Sequence, residues 1–213
     1  MEWQRYIYPI PAILIGLTVH EYSHARMALA LGDTTARDQG RITFNPLRHI
    51  DILGLIFLLV AGFGWAKPVQ FSPDRLRRPR RDKALIALAG PLSNFVLGVI
   101  FALLARLCIY AASLMGADVP RFIDVFISVV HLLLYGATIN FGLFIFNLIP
   151  LPPLDGSHIA FSGLNLRSET EKKIIKLGAP LLFIILIIES RTSLDILPIG
   201  RLSLFLVSVF CRV

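Results

Sequence analysis

The sequence predicts an all-α polytopic membrane protein, a bundle of about four to five transmembrane helices with a re-entrant segment and a small membrane-associated β-hairpin or sheet. Of 213 residues, 55% are hydrophobic and only 16% are charged, and the mean hydropathy is +0.71. That exceeds what a soluble domain of this length needs for its core, and the apolar residues fall in long blocks.

Three blocks, Tyr6 to Leu31, Ala84 to Gly116 and Phe122 to Ile149, each reach the roughly 20 residues that a helix needs to cross a hydrocarbon core. Between the first two, Ile52 to Trp65 has the shorter apolar run of a re-entrant or interfacial element, and its end, Gly62-Phe63-Gly64, is a poor helix. Arg37, Arg41 and Arg48 precede it, and Lys67 and the run from Arg75 to Lys83 follow, so both flanks read as cytoplasmic and the segment dips in and returns. Gln39 to Phe44 alternates between Gly40 and Asn45-Pro46, which predicts a short strand. Near the C-terminus, Leu177 to Ile188 is short, and Leu194 to Phe210 contains Pro198, Gly200 and Arg201. Both are expected to lie at the interface or to tilt against neighbours. The chain reads as one membrane-embedded domain over 1–213, with a core of about 6–160 and C-terminal helices at about 170–213.

With residues 32–83 cytoplasmic, the first span runs inward, the second outward, and the third delivers Pro150 to His158 to the cytoplasmic half. The net charge of +7 and the run Arg75 to Arg81 are the ordinary topogenic signal, with attraction to anionic lipid, and do not imply nucleic acid. Arg5 and Ala28-Leu29-Ala30 imitate parts of a signal peptide, but His20, Glu21, His24 and Arg26 interrupt the apolar region it would need. Cys108 and Cys211 form no disulfide framework and read as packing residues.

The informative run is His20-Glu21-Tyr22-Ser23-His24, because ionisable side chains are costly inside a spanning helix and usually mark function. Positions 20 and 24 stack on one helix face, where two imidazoles can converge on one metal ion. Glu21 is rotated away from that line, close enough to act as general base on a metal-activated water. Zinc that keeps one open position requires a third protein ligand. Asp155 ends the third span at the depth of the histidines, after Pro150, Pro152 and Pro153 have forced an extended path. As an Asp-Gly pair it also suits a plain turn. His49 and His158 are rival ligands.

Taken together, several motifs resemble the site-2 protease family of intramembrane zinc metalloproteases, in particular its short prokaryotic branch. They are HExxH; Gly32-Asp33-x-Thr35-Ala36; Gly40-Arg41-x-Thr43-x-Asn45-Pro46; Gly64-Trp65-Ala66-Lys67-Pro68-Val69; Ala89-Gly90-Pro91-x-x-Asn94; and Asn147-x-x-Pro150-x-Pro152-Pro153-Leu154-Asp155-Gly156. The resemblance covers roughly residues 10–160 in order. It implies that His20, His24 and Asp155 bind zinc, that Glu21 is the catalytic glutamate, and that Asn94 lies near the site. We read the Asn94 amide either as a donor to the oxyanion or substrate backbone, or as an interhelical hydrogen bond. Asn140 and Asn147 read as structural.

The implied reaction is hydrolysis of peptide bonds in transmembrane-helix substrates near the cytoplasmic side, and the implied setting is multi-pass insertion in a prokaryotic cell (inner) membrane. Such a substrate must unwind, and an edge at Gln39–Phe44 could pair with it. Only Ala117 to Arg121 separates the second and third spans, so no PDZ domain is inserted there, and nothing resembling a regulatory domain follows the last apolar block. Recognition of single-span substrates in the lipid bilayer then rests on the membrane core, with an accessory regulator or a homo-oligomer as further partners. A membrane metal-ion transporter and a catalytically silent binder of membrane helices are the alternative readings of the same ligand set.

Overall fold

Long apolar blocks opened by proline and separated by short polar links leave little room for anything but helices. The computed structural model describes residues 8–61, 64–115, 123–164, 168–192 and 194–212. Its helices are α1 (Pro9–Ala30), α2 (Thr35–Asp38), α3 (Ile52–Ala61), α4 (Pro79–Met115), α5 (Ile123–Asn147), α6 (Asp155–Gly163), α7 (Ser168–Arg191) and α8 (Ile199–Phe210), with tight turns at Pro46–Arg48 and Pro73–Arg75. Pro9 and Pro79 open their helices, where a missing N–H costs nothing. Asp82 Oδ2 accepts the Arg78 N–H at 2.8 Å and so caps the start of α4.

The three long blocks become α1, α4 and α5. The expected boundaries at Tyr6, Gly116 and Phe122, and the link from Ala117 to Arg121, lie outside the described residues. Among the described residues two helices, α4 and α5, are long and apolar enough to cross a membrane. Leu92, Val96, Ile100, Leu103 and Leu107 of α4 form an outward stripe about half exposed, a surface suited to lipid. α1 has 22 residues, about 33 Å of helix, but His20, Glu21, His24 and Arg26 dilute its apolarity. α7 starts nine residues before Leu177, because Glu169, Glu171, Lys172, Lys173 and Lys176 extend it as a polar helix.

α4 lies against α5, α1 crosses both, α6 rests on α4, and α8 closes over α5. Ala102 and Ala137 bring α4 and α5 close, and Phe141 fills the space beside them. Its ring lies 5.8 Å from Phe95 and 5.9 Å from Phe210 of α8.

The strand expected at Gln39–Phe44 does not form, and among the described residues there is no strand. Gly40 adopts a left-handed φ of 65°, which breaks the extended run. Side chains then satisfy the backbone that a neighbouring strand would have paired. His49 Nε2 donates to the Thr43 carbonyl at 2.8 Å, and the buried Arg41 guanidinium donates to the carbonyls of Arg48 and Lys67. An isolated antiparallel bridge joins Ile50 to Ala66, and the Lys67 N–H donates to the His49 carbonyl at 2.8 Å. The chain therefore leaves through α3 and comes back to its starting point. Gly62 and Phe63, where a break was expected, lie outside the described residues.

Asp33 fastens this returning segment to the end of α1. Fully buried, it accepts the Thr35 N–H at 2.9 Å, the Thr35 hydroxyl at 2.5 Å and the Ser72 N–H at 2.6 Å. Burial pushes its carboxyl up, but those donors and the charge of Arg75 outweigh burial and hold it below the usual carboxylate range. With the folded pKa below the unfolded value of about 3.9, its contribution to stability is complete above about pH 4 and is lost as pH falls through the folded value. Asp33→Asn should therefore lower the tryptophan-monitored melting temperature of detergent-solubilised protein at pH 7, by about 1 to 3 kcal/mol of stability. The gap between wild type and variant should shrink in acid, and a gap independent of pH would refute the assignment.

Candidate metal centre

Helix periodicity sets His20 and His24 one turn apart on α1, with their Nε2 atoms 3.0 Å from each other. Asp155, the first residue of α6, brings Oδ2 to 3.1 Å from His20 Nε2 and 3.3 Å from His24 Nε2. Ligands bonded at about 2.0–2.1 Å to a tetrahedral zinc stand roughly 3.3–3.4 Å apart, so the cluster is near the required size.

Protons decide what these contacts are. His20 Nδ1 donates to Asn94 Oδ1 at 2.6 Å, and His24 Nδ1 donates to the Ile86 carbonyl at 2.7 Å. Each neutral ring has then used its N–H and turns a bare Nε2 lone pair inward. Asp155 Oδ2 is buried and has no hydrogen-bond partner. Three lone pairs facing one another repel unless a cation lies between them, so the donor set fits zinc.

α4 builds the back of the site with one face, since Ile86, Gly90 and Asn94 recur at intervals of four. Gly90 has no side chain where a Cβ would collide with the His20 and His24 rings. Asn94 is fully buried and fully committed. Besides accepting from His20, its Nδ2 donates to the Gly16 carbonyl at 3.0 Å and to Asn140 Oδ1 at 2.9 Å, and Asn140 Nδ2 donates to the Gly136 carbonyl at 2.9 Å. This chain of amides ties α1, α4 and α5 together at the depth of the histidines and leaves no Asn94 N–H for an oxyanion. Asn147 bonds within its own helix, to the Leu143 carbonyl at 3.0 Å.

Pro150 to Pro153 carry the chain from α5 into α6, and a Cβ on Gly156 would collide with the carbonyls of Leu148 and Ile149. That close turn swings Asp155 toward α1. Glu21 is buried beside the ligands, and its Oε2 accepts the Val69 N–H at 2.9 Å. Val69 belongs to the segment Gly64–Phe71, which runs without helix along a cavity of about 370 Å³ lined also by His20, Glu21, His24 and Asp155. Of the rival ligands, His158 lines the cavity wall outside the cluster, and His49 is engaged with Thr43. Sequence reasoning did not assign roles to Ile86 or Val69, and read Gly90, with Ser93, only as allowing close helix approach. Gly90 and Val69 lay in quoted motifs, but Ile86 acts through its carbonyl, which no side-chain pattern reveals.

The sequence signature of peptidase family M50 matches residues 8–188. The chain belongs to peptidase family M50, the site-2 protease family of zinc metalloproteases. Three curated relatives of this M50 chain bear the name "Putative zinc metalloprotease". YwhC of Bacillus subtilis is 40% identical over 71% of the chain and 67% of its own length. MJ0611 of Methanocaldococcus jannaschii is 32% identical over 72% and 69%, and Rip2 of Mycolicibacterium smegmatis is 31% identical over 71% and 55%. The chain thus spans little more than half of the mycobacterial relative. No solved structure matches it.

The close approach at Gly90 yields a direct test. Gly90→Ala should reduce bound zinc, measured by plasma mass spectrometry on purified protein, to well below one equivalent while the helical circular dichroism persists. Full zinc occupancy in that variant would contradict the packing described.

Proposed function

We propose that the chain is an intramembrane zinc metalloendopeptidase that cleaves single-span membrane proteins near the cytoplasmic side of the bilayer. The reading rests above all on three potential ligand atoms, from His20, His24 and Asp155, that converge beside a buried glutamate. α1, α4 and α5 cross the membrane in it, α3 dips in from the cytoplasmic side, and the positive flanks of α3 set the orientation.

His20 Nε2, His24 Nε2 and Asp155 Oδ2 would hold the metal. When bound, zinc supplies Lewis-acid polarisation of the scissile carbonyl and brings the pKa of water toward neutrality. Glu21 receives the proton of the attacking water and delivers it to the leaving amine. The Val69 N–H holds Oε2, which leaves the other carboxylate oxygen for that transfer. Asn94 acts as a positioning residue, because its Oδ1 fixes the tautomer and orientation of His20. An unwound substrate would lie along Gly64–Phe71, the extended segment at the cavity, in place of the edge expected at Gln39–Phe44.

In proteoliposomes with a single-span substrate, Glu21→Gln should retain stoichiometric zinc and lose about 10²- to 10⁴-fold in cleavage rate. Cleavage within a few-fold of wild type would remove Glu21 from the mechanism. Asn94→Ala should weaken zinc affinity about 10- to 100-fold in chelator competition, and an unchanged affinity would refute its positioning role.

A further inference from the structure

Two further cavities lie behind the metal centre, between α1 and the start of α4. On the outer side of α1 and α4 runs an open groove of about 620 Å³, walled by Val19, Tyr22 and Met27 of α1 and by Ala89, Leu92 and Val96 of α4. Ser23 and Ser93 also line it, but their hydroxyls are turned back on the carbonyls of Val19 and Gly90 at 2.7 and 2.6 Å, so the groove offers almost only apolar surface. Ala30 stands at its end. The same Ala30 lines a separate cavity of about 380 Å³ with Leu31, Gly32, Arg77, Arg78, Arg81 and Asp82.

The two cavities differ in chemistry and meet at one residue. Asp82, the one acid lining the second, is buried and accepts the Arg78 N–H, and a single carboxylate against the guanidiniums of Arg77, Arg78 and Arg81 leaves that cavity with a net positive charge. Arg77, Arg78 and Arg81 are exposed and have no side-chain hydrogen bond or ion pair among the described residues. Arg26 lines the groove one helical turn before Ala30 and is likewise exposed and unpaired among them. Four guanidiniums against one carboxylate at the end of an apolar trough suit a ligand that is anionic at one end and hydrocarbon at the other.

We propose that this composite cleft binds one anionic phospholipid, with its phosphate among Arg77, Arg78 and Arg81 and an acyl chain along the α1–α4 groove. The site rests on the membrane placement of α4 and does not depend on the peptidase chemistry. A soluble anion would satisfy the arginines and leave the groove empty, whereas a zwitterionic lipid would fill the groove and forfeit the charge. The groove shares its walls with the metal centre, because Ala89 and Ser93 flank Gly90 and Ser23 precedes His24. A lipid held there would brace the α1–α4 contact on which the histidine geometry depends.

Native mass spectrometry of the full-length protein in detergent, with equal amounts of chain-matched phosphatidylglycerol and phosphatidylcholine, tests the site. The expected result is one retained phosphatidylglycerol, favoured about tenfold over phosphatidylcholine and not displaced by millimolar inorganic phosphate. The triple variant Arg77→Gln, Arg78→Gln, Arg81→Gln should lose the preference. Ala30→Trp, which blocks the junction and leaves every charge in place, should lose the bound lipid. Zinc content of both variants reports whether the fold and the metal centre survive, so failure of the lipid site is separable from failure of the peptidase reading. Equal retention of the two lipids, undiminished preference in the triple variant, full displacement by phosphate, or unaltered binding in Ala30→Trp would each overturn the proposal.

Discussion

Three lone pairs aimed at a common point inside an apolar bundle cannot be left as they are. His20 Nε2, His24 Nε2 and Asp155 Oδ2 lie within 3.0 to 3.3 Å of one another, and the neutral imidazoles, whose N–H groups are spent on the acceptors of both Nδ1 atoms, have no further N–H to bridge them. A cation removes the repulsion, and most of the surrounding architecture serves to aim those pairs. Asn94 and the Ile86 carbonyl fix the tautomers, Gly90 clears space for the rings, and the proline-rich turn before α6 brings the carboxylate across. In this sense the protein is organised around a charge that its own side chains do not supply.

The same requirement explains the small residues on α4. A helix face that offers a carbonyl, a bare Cα and an amide at successive turns can approach α1 only if nothing larger than hydrogen stands between them. Close approach on the inner side leaves a trough on the outer side, where Ala89 and Ala30 are too small to fill the space between α1 and α4. The apolar groove and the metal centre are therefore two faces of one contact.

Much of this was legible from residue order. The long blocks announced α1, α4 and α5, and HExxH with the Asn147–Gly156 motif named the cluster that the folded chain brings together. Gln39–Phe44 was misread because alternation reports only which side chains are apolar, and cannot report that Arg41 and His49 would take over the hydrogen bonding of a strand partner. Asn94 was placed near the site but could not be given one role, since an amide donates and accepts equally well. Only the positions of Gly16, His20 and Asn140 around it assign its atoms. The groove and the arginine cavity were invisible as neighbours, because Arg26 and Arg77 are fifty-one positions apart in the chain and come to line cavities that share Ala30 only when α1 lies on α4.

The stretch between α1 and α4 shows how irregular backbone can sit beside a buried site. Unpaired peptide groups are costly away from water, and a sheet would be the usual remedy. Here buried polar side chains take its place, with Asp33 holding Ser72, Arg41 holding Arg48 and Lys67, and His49 holding Thr43. Each bond pins the segment from a different direction, so that Val69 meets Glu21 with its N–H facing the carboxylate. A regular strand would have imposed its own alternation of donors along the cavity. Side-chain anchors instead allow one N–H to be set against the glutamate while the rest of Gly64–Phe71 stays open along the cavity wall.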